Sequence, residues 1–282
     1  MSAVATREEV GVRAADAEPP RRRRWTRFIL PVYSVAVIVY LMIPILVMIL
    51  YSFNASGGRR VSFRWQGFTT AWYGKLFDVP GLSPAMTRSL AVATVSTIIA
   101  TALGTLLALA LARHRYRGRG TTEFTMFLNI STPEIVLGAS LLSLFVTFGV
   151  PRGVVTIVIA HVMFNIAFVA ITVRARLTGL DLTVEEAARD LGAGSWTTFW
   201  KVTFPLIYPG VFAGALLAFG LSIDDFIITN FVAGSTETFP LWVWGVSRVG
   251  IPPQVFVMGT LIFLAGAVIA VATVVSPRRR VA

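Results

Sequence analysis

Long apolar runs separated by short polar segments dominate the chain. A helix that crosses a bilayer needs about 20 mostly apolar residues. Residues 28–51 and 89–112 meet that length without a charged side chain, and 153–173 and 255–275 meet it as well. Residues 205–232 do so except for Asp224 and Asp225, and 125–148 except for Glu134. The pattern predicts an all-α polytopic membrane protein with six transmembrane helices, the third having the least defined start.

The segments between the spans are unequal. The longest outer connection, 54–86, carries Phe63, Trp65, Phe68, Trp72, Tyr73 and Phe77. Its 68–73 run reads as a short interfacial helix capped by Thr69 or Thr70, with aromatics at headgroup level. Such rings anchor a chain in the membrane, and their faces also attract organic cations. The polar stretch between the fourth and fifth spans includes EAARDLGAGSWTTFWKVTFP at 186–205. Its acid-started, Ala-rich beginning predicts a short helix, Gly192 with Gly194 a tight turn, and Pro205 the restart of a membrane helix. Such a helix is either a docking element or an amphipathic segment lying on the membrane surface.

Composition agrees with the spans: 55% of the 282 residues are hydrophobic and the mean hydropathy is +0.74. The net charge of +11 invites a nucleic-acid reading, but its placement opposes one. With six spans, Arg59, Arg60, Arg64, Lys75, Arg88, Arg152 and Arg248 fall on one side, and every other Lys and Arg on the opposite side. The positive-inside rule then puts both termini and the 174–204 loop in the cytoplasm. No basic stripe interleaved with aromatics offers base stacking. Residues 1–27 read as a disordered basic segment. They could begin a signal peptide, but the 28–51 run exceeds a signal core and no small-x-small cleavage site follows at once.

Much chemistry is missing. Cysteine is absent, which excludes disulfides, thiolate metal sites and a Cys nucleophile. His114 and His161 share no metal-ligand spacing, and His161, inside the fourth span, reads as a packing residue with a hydrogen bond rather than a proton relay. No G-x-x-x-x-G-K-[ST], H-E-x-x-H or G-x-S-x-G occurs, so the chain is not expected to hydrolyse ATP, peptides or esters. No metal or cofactor is expected. Glu134, Asp224 and Asp225 remain as carboxyls inside apolar runs, where an ionised group is costly unless it faces protein or water. Glu134 is expected about 15 Å into a continuous third helix. The adjacent aspartates are expected to ride one helix about 100° apart, so that only one faces a path. The acids either pair with Arg174, Arg248 or a partner's arginine, or line a cation path.

Glu186, Ala187, Ala188, Gly192, Val202, Phe204 and Pro205 carry a resemblance. E-A-A, three residues, Gly, nine residues and an apolar-x-apolar-Pro end resemble the cytoplasmic coupling loop of ABC importer permeases. Val202 and Phe204 stand where that family usually has Ile and Leu. Ser222-Ile223-Asp224-Asp225-Phe226, Asn230 to Gly234, Trp72-Tyr73 and the acid after Pro133 resemble the spermidine/putrescine-type subgroup. The resemblance runs from about residue 87 through the last span, and implies a permease domain over 87–276 and a basic cytoplasmic tail at 277–282. The first transmembrane helix (28–53) and the outer loop (54–86) precede it. It further implies coupling to an ATPase through Glu186, Ala187, Ala188 and Gly192. Polyamine passage would use Trp72, by cation–π contact, and Glu134, Ser222, Asp224 and Asp225. The implied partners are an ATP-binding subunit, a second permease subunit, an extracytoplasmic solute-binding protein and membrane lipid, in a bacterial inner membrane. Two alternatives stand beside it: the same family with another small solute, and a secondary transporter using the acids as cation or proton sites.

Overall fold

The computed structural model describes residues 26–56, 60–180 and 183–275, so the expectations for 1–25 and for the tail at 277–282 lie outside the described residues. In chain order the helices are α1 (Thr26–Ser52), α2 (Ala71–Gly74), α3 (Leu82–Arg113), α4 (Arg119–Ser131), α5 (Glu134–Thr147), α6 (Val154–Thr178), α7 (Thr183–Asp190), α8 (Ser195–Thr198), α9 (Phe204–Ile223), α10 (Ile227–Val232), α11 (Phe239–Val249) and α12 (Gln254–Val275). Among the described residues no strand forms, only an isolated bridge between Asn54 and Phe68. The residues divide into two units: those up to Tyr51 together with those from Gly259 on, and Ser52–Met258. In the first unit the faces of α1 are largely exposed, and Gly259 lets Met48 approach to 2.6 Å of where a Cβ would stand.

The second unit is built on α3, α6 and α9. Lipid supplies no hydrophobic drive between helices, so close backbone approach at small residues holds them together. A Cβ on Gly104 of α3 would lie 2.7 Å from Val169 Cβ on α6, and one on Gly214 of α9 would lie 3.3 Å from Val169 Cγ1. Val169 is thus gripped from both sides. One core cluster surrounds it, with Leu111, Val173, Ile207 and Ala218. A second joins Val92, Leu141, Ile157, Phe164 and Ile228. Gly104→Leu should therefore lower the midpoint of thermal unfolding in detergent, since overpacking costs about 1–3 kcal/mol. A parent-like midpoint would contradict the packing.

Two expected spans are broken. The third is not one helix: α4 and α5 meet at 109°, with Thr132 at φ −74°, ψ 128° and Pro133 at φ −57°, ψ 135°. Proline drives its predecessor out of the helical region and cannot itself donate a backbone hydrogen bond. Glu134 therefore opens a new helix instead of sitting ten residues inside one. The fifth helix likewise ends at Ile223, with Asp224 as its C-cap, and resumes at Ile227. The aspartates lie in the gap, so the 100° separation of adjacent helical residues does not apply to them.

The polar stretch before α9 is also arranged differently from expectation. The helix restarts at Ser195, ten positions ahead of Pro205, and passes through a π turn over Phe199–Thr203 into α9. The π turn lies just before Pro205, whose ring supplies no N–H to the preceding helical turn. Opposite the buried side of this helix, Trp196, Trp200, Phe204, Tyr208 and Phe212 form a ladder of rings, each 5.1–6.1 Å from the next.

Between α1 and α3 the buried Asn54 side chain gathers the backbone. Its amide donates to the Ser62 and Arg64 carbonyls at 3.0 and 2.9 Å, and its Oδ1 accepts from Gln66 N–H at 2.8 Å. α2 is shorter than the 68–73 run, and the Thr69 hydroxyl accepts from Ala71 N–H at its start.

Candidate translocation site and docking helix

The two broken spans bring the intramembrane acids together. Gly138, one turn after Glu134, lets α5 lie against α10: a Cβ there would stand 2.6 Å from the Phe231 ring and 3.4 Å from Ile228 Cα. α5 begins at Glu134, and across this contact α10 follows the gap that holds Asp224 and Asp225. Glu134 and Asp224 are exposed. Among the described residues, no arginine or lysine lies within ion-pair reach of either. Arg174 pairs with Glu123 at 2.9 Å, and the Arg248 guanidinium lies 4.9 Å over the Trp244 ring. Among the described residues, neither Arg174 nor Arg248 makes the pairing with the acids that was one expected alternative.

Asp225 is placed differently from its neighbour. Its carboxyl is 6% exposed and accepts from Thr229 N–H at 2.7 Å and from the Thr229 hydroxyl at 2.6 Å. Ile228 N–H adds a longer bond at 3.4 Å. These are the free donors at the start of α10, where a carboxylate is favoured by the aligned peptide dipoles. His161 Nε2 lies 2.9 Å from Thr229 Oγ1 and 3.2 Å from Asp225 Oδ2, while Nδ1 lies 2.6 Å from Ser222 Oγ. Thr229 already donates its hydroxyl proton to Asp225, so it accepts from the ring. In the neutral ring this puts the proton on Nε2 and leaves Nδ1 to accept from Ser222. Ser222 also meets Ser96 of α3 at 3.0 Å. Ser96, His161, Ser222 and Thr229 are all buried. The network ties α3, α6, α9 and α10 at the gap, and His161 holds the hydrogen bonds expected of it.

The five residues expected along a path are thus not equivalent. Glu134 and Asp224 present free carboxylates, whereas Ser222 and Asp225 turn into the bundle. Trp72 is half-buried, its indole N–H donating to the Asn54 carbonyl at 2.8 Å.

At the other polar region, α7 has Glu185 and Glu186 in its first turn and Arg189 in its last, the order its dipole favours. Gly192 stops it with φ +86°. Its N–H donates to the Arg189 carbonyl at 2.8 Å and Ala193 N–H to the Ala188 carbonyl at 3.0 Å. Glu186, Ala187 and Gly192 are exposed, Ala188 is half-buried, and Leu191 beside them is 89% exposed. A short helix with an uncovered rim suits contact with another protein. Glu185 was not singled out by the motif, yet it is the buried acid of this helix. Its carboxylate accepts from Arg113 at the end of α3 and, at 2.7 Å, from the Thr203 hydroxyl.

Comparison with known proteins accords with this geometry. Residues 100–281 match the family described as the binding-protein-dependent transport system inner membrane component. The chain is 39% identical over 242 residues to the spermidine/putrescine transport system permease protein PotC of Escherichia coli (strain K12), covering 86% of this chain and 90% of the relative. It is 39% identical over 231 residues to the putrescine transport system permease protein PotI of the same strain, covering 79% and 81%. Among solved structures, a bacterial ABC transporter involved in import of the acidic polysaccharide alginate superposes with TM-score 0.62 at 19% identity, over 93% of this chain and all of that one. The MetNI methionine ABC transporter, in inward-facing form, gives 0.56 at 18% identity, over 68% and 92%.

Proposed function

The chain belongs to the binding-protein-dependent transport system inner membrane components, and from that membership we propose that it forms half of a polyamine path lined by Glu134 and Asp224. It is a multi-pass permease subunit of an ABC importer and not itself the ATPase. The observation that carries the solute reading is the meeting of two helix breaks at free carboxylates. Backbone left unpaired by a broken helix is tolerated in a membrane only where it is buried in protein or lines a watered cavity, and unpaired acids beside it attract ammonium groups. PotC and PotI, named for spermidine and putrescine, support the same class.

In this reading Glu134 and Asp224 receive the amines, while Asp225 and Ser222 fix the gap that aims them. Trp72 holds the outer loop in place at the entrance, with its ring face left for cation contact. Glu186, Ala187, Ala188 and Gly192 form the rim on which the separate ATP-binding subunit sits. The 174–204 loop and both termini are cytoplasmic. A second permease subunit completes the path, and an extracytoplasmic binding protein delivers the solute.

Reconstitution tests this as a whole. Liposomes holding this chain with a partner permease and the ATP-binding subunit should accumulate labelled spermidine only with ATP and the binding protein. Uptake driven by membrane potential in liposomes holding this chain alone would replace the importer with a secondary transporter. Accumulation of another solute that spermidine does not compete with would keep the family and discard the polyamine.

A further inference from the structure

Glu185 is the one residue of α7 that is buried, while its neighbours Val184 and Glu186 are exposed. The side chain points away from anything that could dock on the helix. One carboxylate oxygen, Oε1, takes both hydrogen bonds: from Arg113 in the last turn of α3 and from Thr203, the last residue of the π turn. α3, α7 and the π turn therefore meet on a single atom.

What lies beyond the two donors gives this contact its meaning. α3 is 32 residues long, about 48 Å at 1.5 Å per residue, and it carries Ser96, which touches Ser222. α9 starts directly after Thr203 and ends at Ser222, Ile223 and the Asp224 cap. Both rods that leave the Glu185 clamp therefore arrive at the same buried network, beside the acids. A π turn holds one residue more than an α turn of the same length and frequently stands at functional sites. Thr203 closes that turn, so a pull on α7 through Glu185 enters α9 at its first residues.

We propose that Glu185, through Arg113 and Thr203, is the positioning residue that carries displacement of α7 to α3 and α9 and so to the Glu134–Asp224 gap. The inference rests on the reading of α7 as the ATPase-docking helix. An eight-residue helix cannot transmit force through its own stability. A charged pair gripped by a third side chain can, because opening it leaves an uncompensated, largely buried charge.

The test uses the complete importer in liposomes, reading ATP hydrolysed and spermidine accumulated in the same sample. Glu185→Ala should keep hydrolysis while spermidine moved per ATP falls on the order of tenfold, a usual size for site-to-site coupling. Glu185→Gln, which can still accept from Thr203, should fall less. The exchanged pair Glu185→Arg with Arg113→Glu should recover part of the loss. An unchanged ratio of spermidine to ATP in Glu185→Ala overturns the proposal. Should that variant not assemble, Glu185→Gln decides: a parent ratio overturns it and a lowered one supports it. Failure of the docking reading shows separately. The chain lacks cysteine, so Ala187→Cys gives one reactive thiol on the rim of α7. Absence of any cross-link from it to the ATP-binding subunit would remove that reading, whatever the Glu185 ratio.

Discussion

Asp224→Asn lowers spermidine uptake per assembled importer by about tenfold or more, equivalent to about 1.4 kcal/mol or more of lost attraction. Glu134→Gln does the same, and the two together lose more than either alone. Both carboxylates are exposed at the helix breaks and unpaired within the described chain, so removing a charge leaves no orphaned arginine and little reason to misfold. Asp225→Ala behaves differently. It strips α10 of its cap and leaves the buried Thr229 and His161 donors without their acceptor, at a cost of about 1–3 kcal/mol. The amount of assembled importer falls, while uptake per importer that does assemble changes less. Quantitative blotting beside uptake separates the two patterns. Parent-like uptake per complex in both Asp224→Asn and Glu134→Gln would end the case for an acid-lined path.

The second large effect is at Gly192. No atom lies within 4 Å of where its Cβ would stand, so size alone is harmless there. The left-handed backbone at φ +86° is the obstacle: a side chain costs about 1–2 kcal/mol in that region, most for a β-branched residue and least for Asn. Gly192→Val should leave the chain inserted at parent level yet abolish most transport driven by ATP, because the rim of α7 is re-aimed. Gly192→Asn should retain most activity. Equal activity in the two variants would show that the turn does not set the docking geometry. An impermeant reagent reaching Gly192→Cys from outside intact cells would reverse the proposed orientation of the whole chain.

The apolar stretches are readable because a bilayer imposes one length on every span, and α7 with its Gly192 turn because Ala and Gly positions follow from local helix and turn chemistry, whereas the restart at Ser195 rather than Pro205 does not. The breaks do not show in the apolar pattern, although Pro133 and the paired aspartates stand at them. Summed hydrophobicity over a window passes smoothly across a proline, and it registers the aspartates as charges in a helix rather than as the residues that end one and cap the next. Glu185 escaped for a different reason. Its neighbour Glu186 begins the recognisable pattern, and only tertiary packing against Arg113 and Thr203 distinguishes the two acids. Asn54 likewise gathers backbone groups from across its loop, which no local periodicity encodes.

The broken third span also bears on how the protein is made. α4 and α5 are 13 and 14 residues long, each well short of the ~20 that let a helix partition alone. At their junction, Pro133 has no N–H to give. The segment therefore becomes a membrane element only when α6 and α10 shelter it, and both of these emerge from the ribosome later. Its integration is then a folding event rather than a partitioning event. A chain truncated after residue 150 should leave a glycosylation acceptor placed at its end on the wrong side for much of the population. The full-length chain should place the same region on a single side.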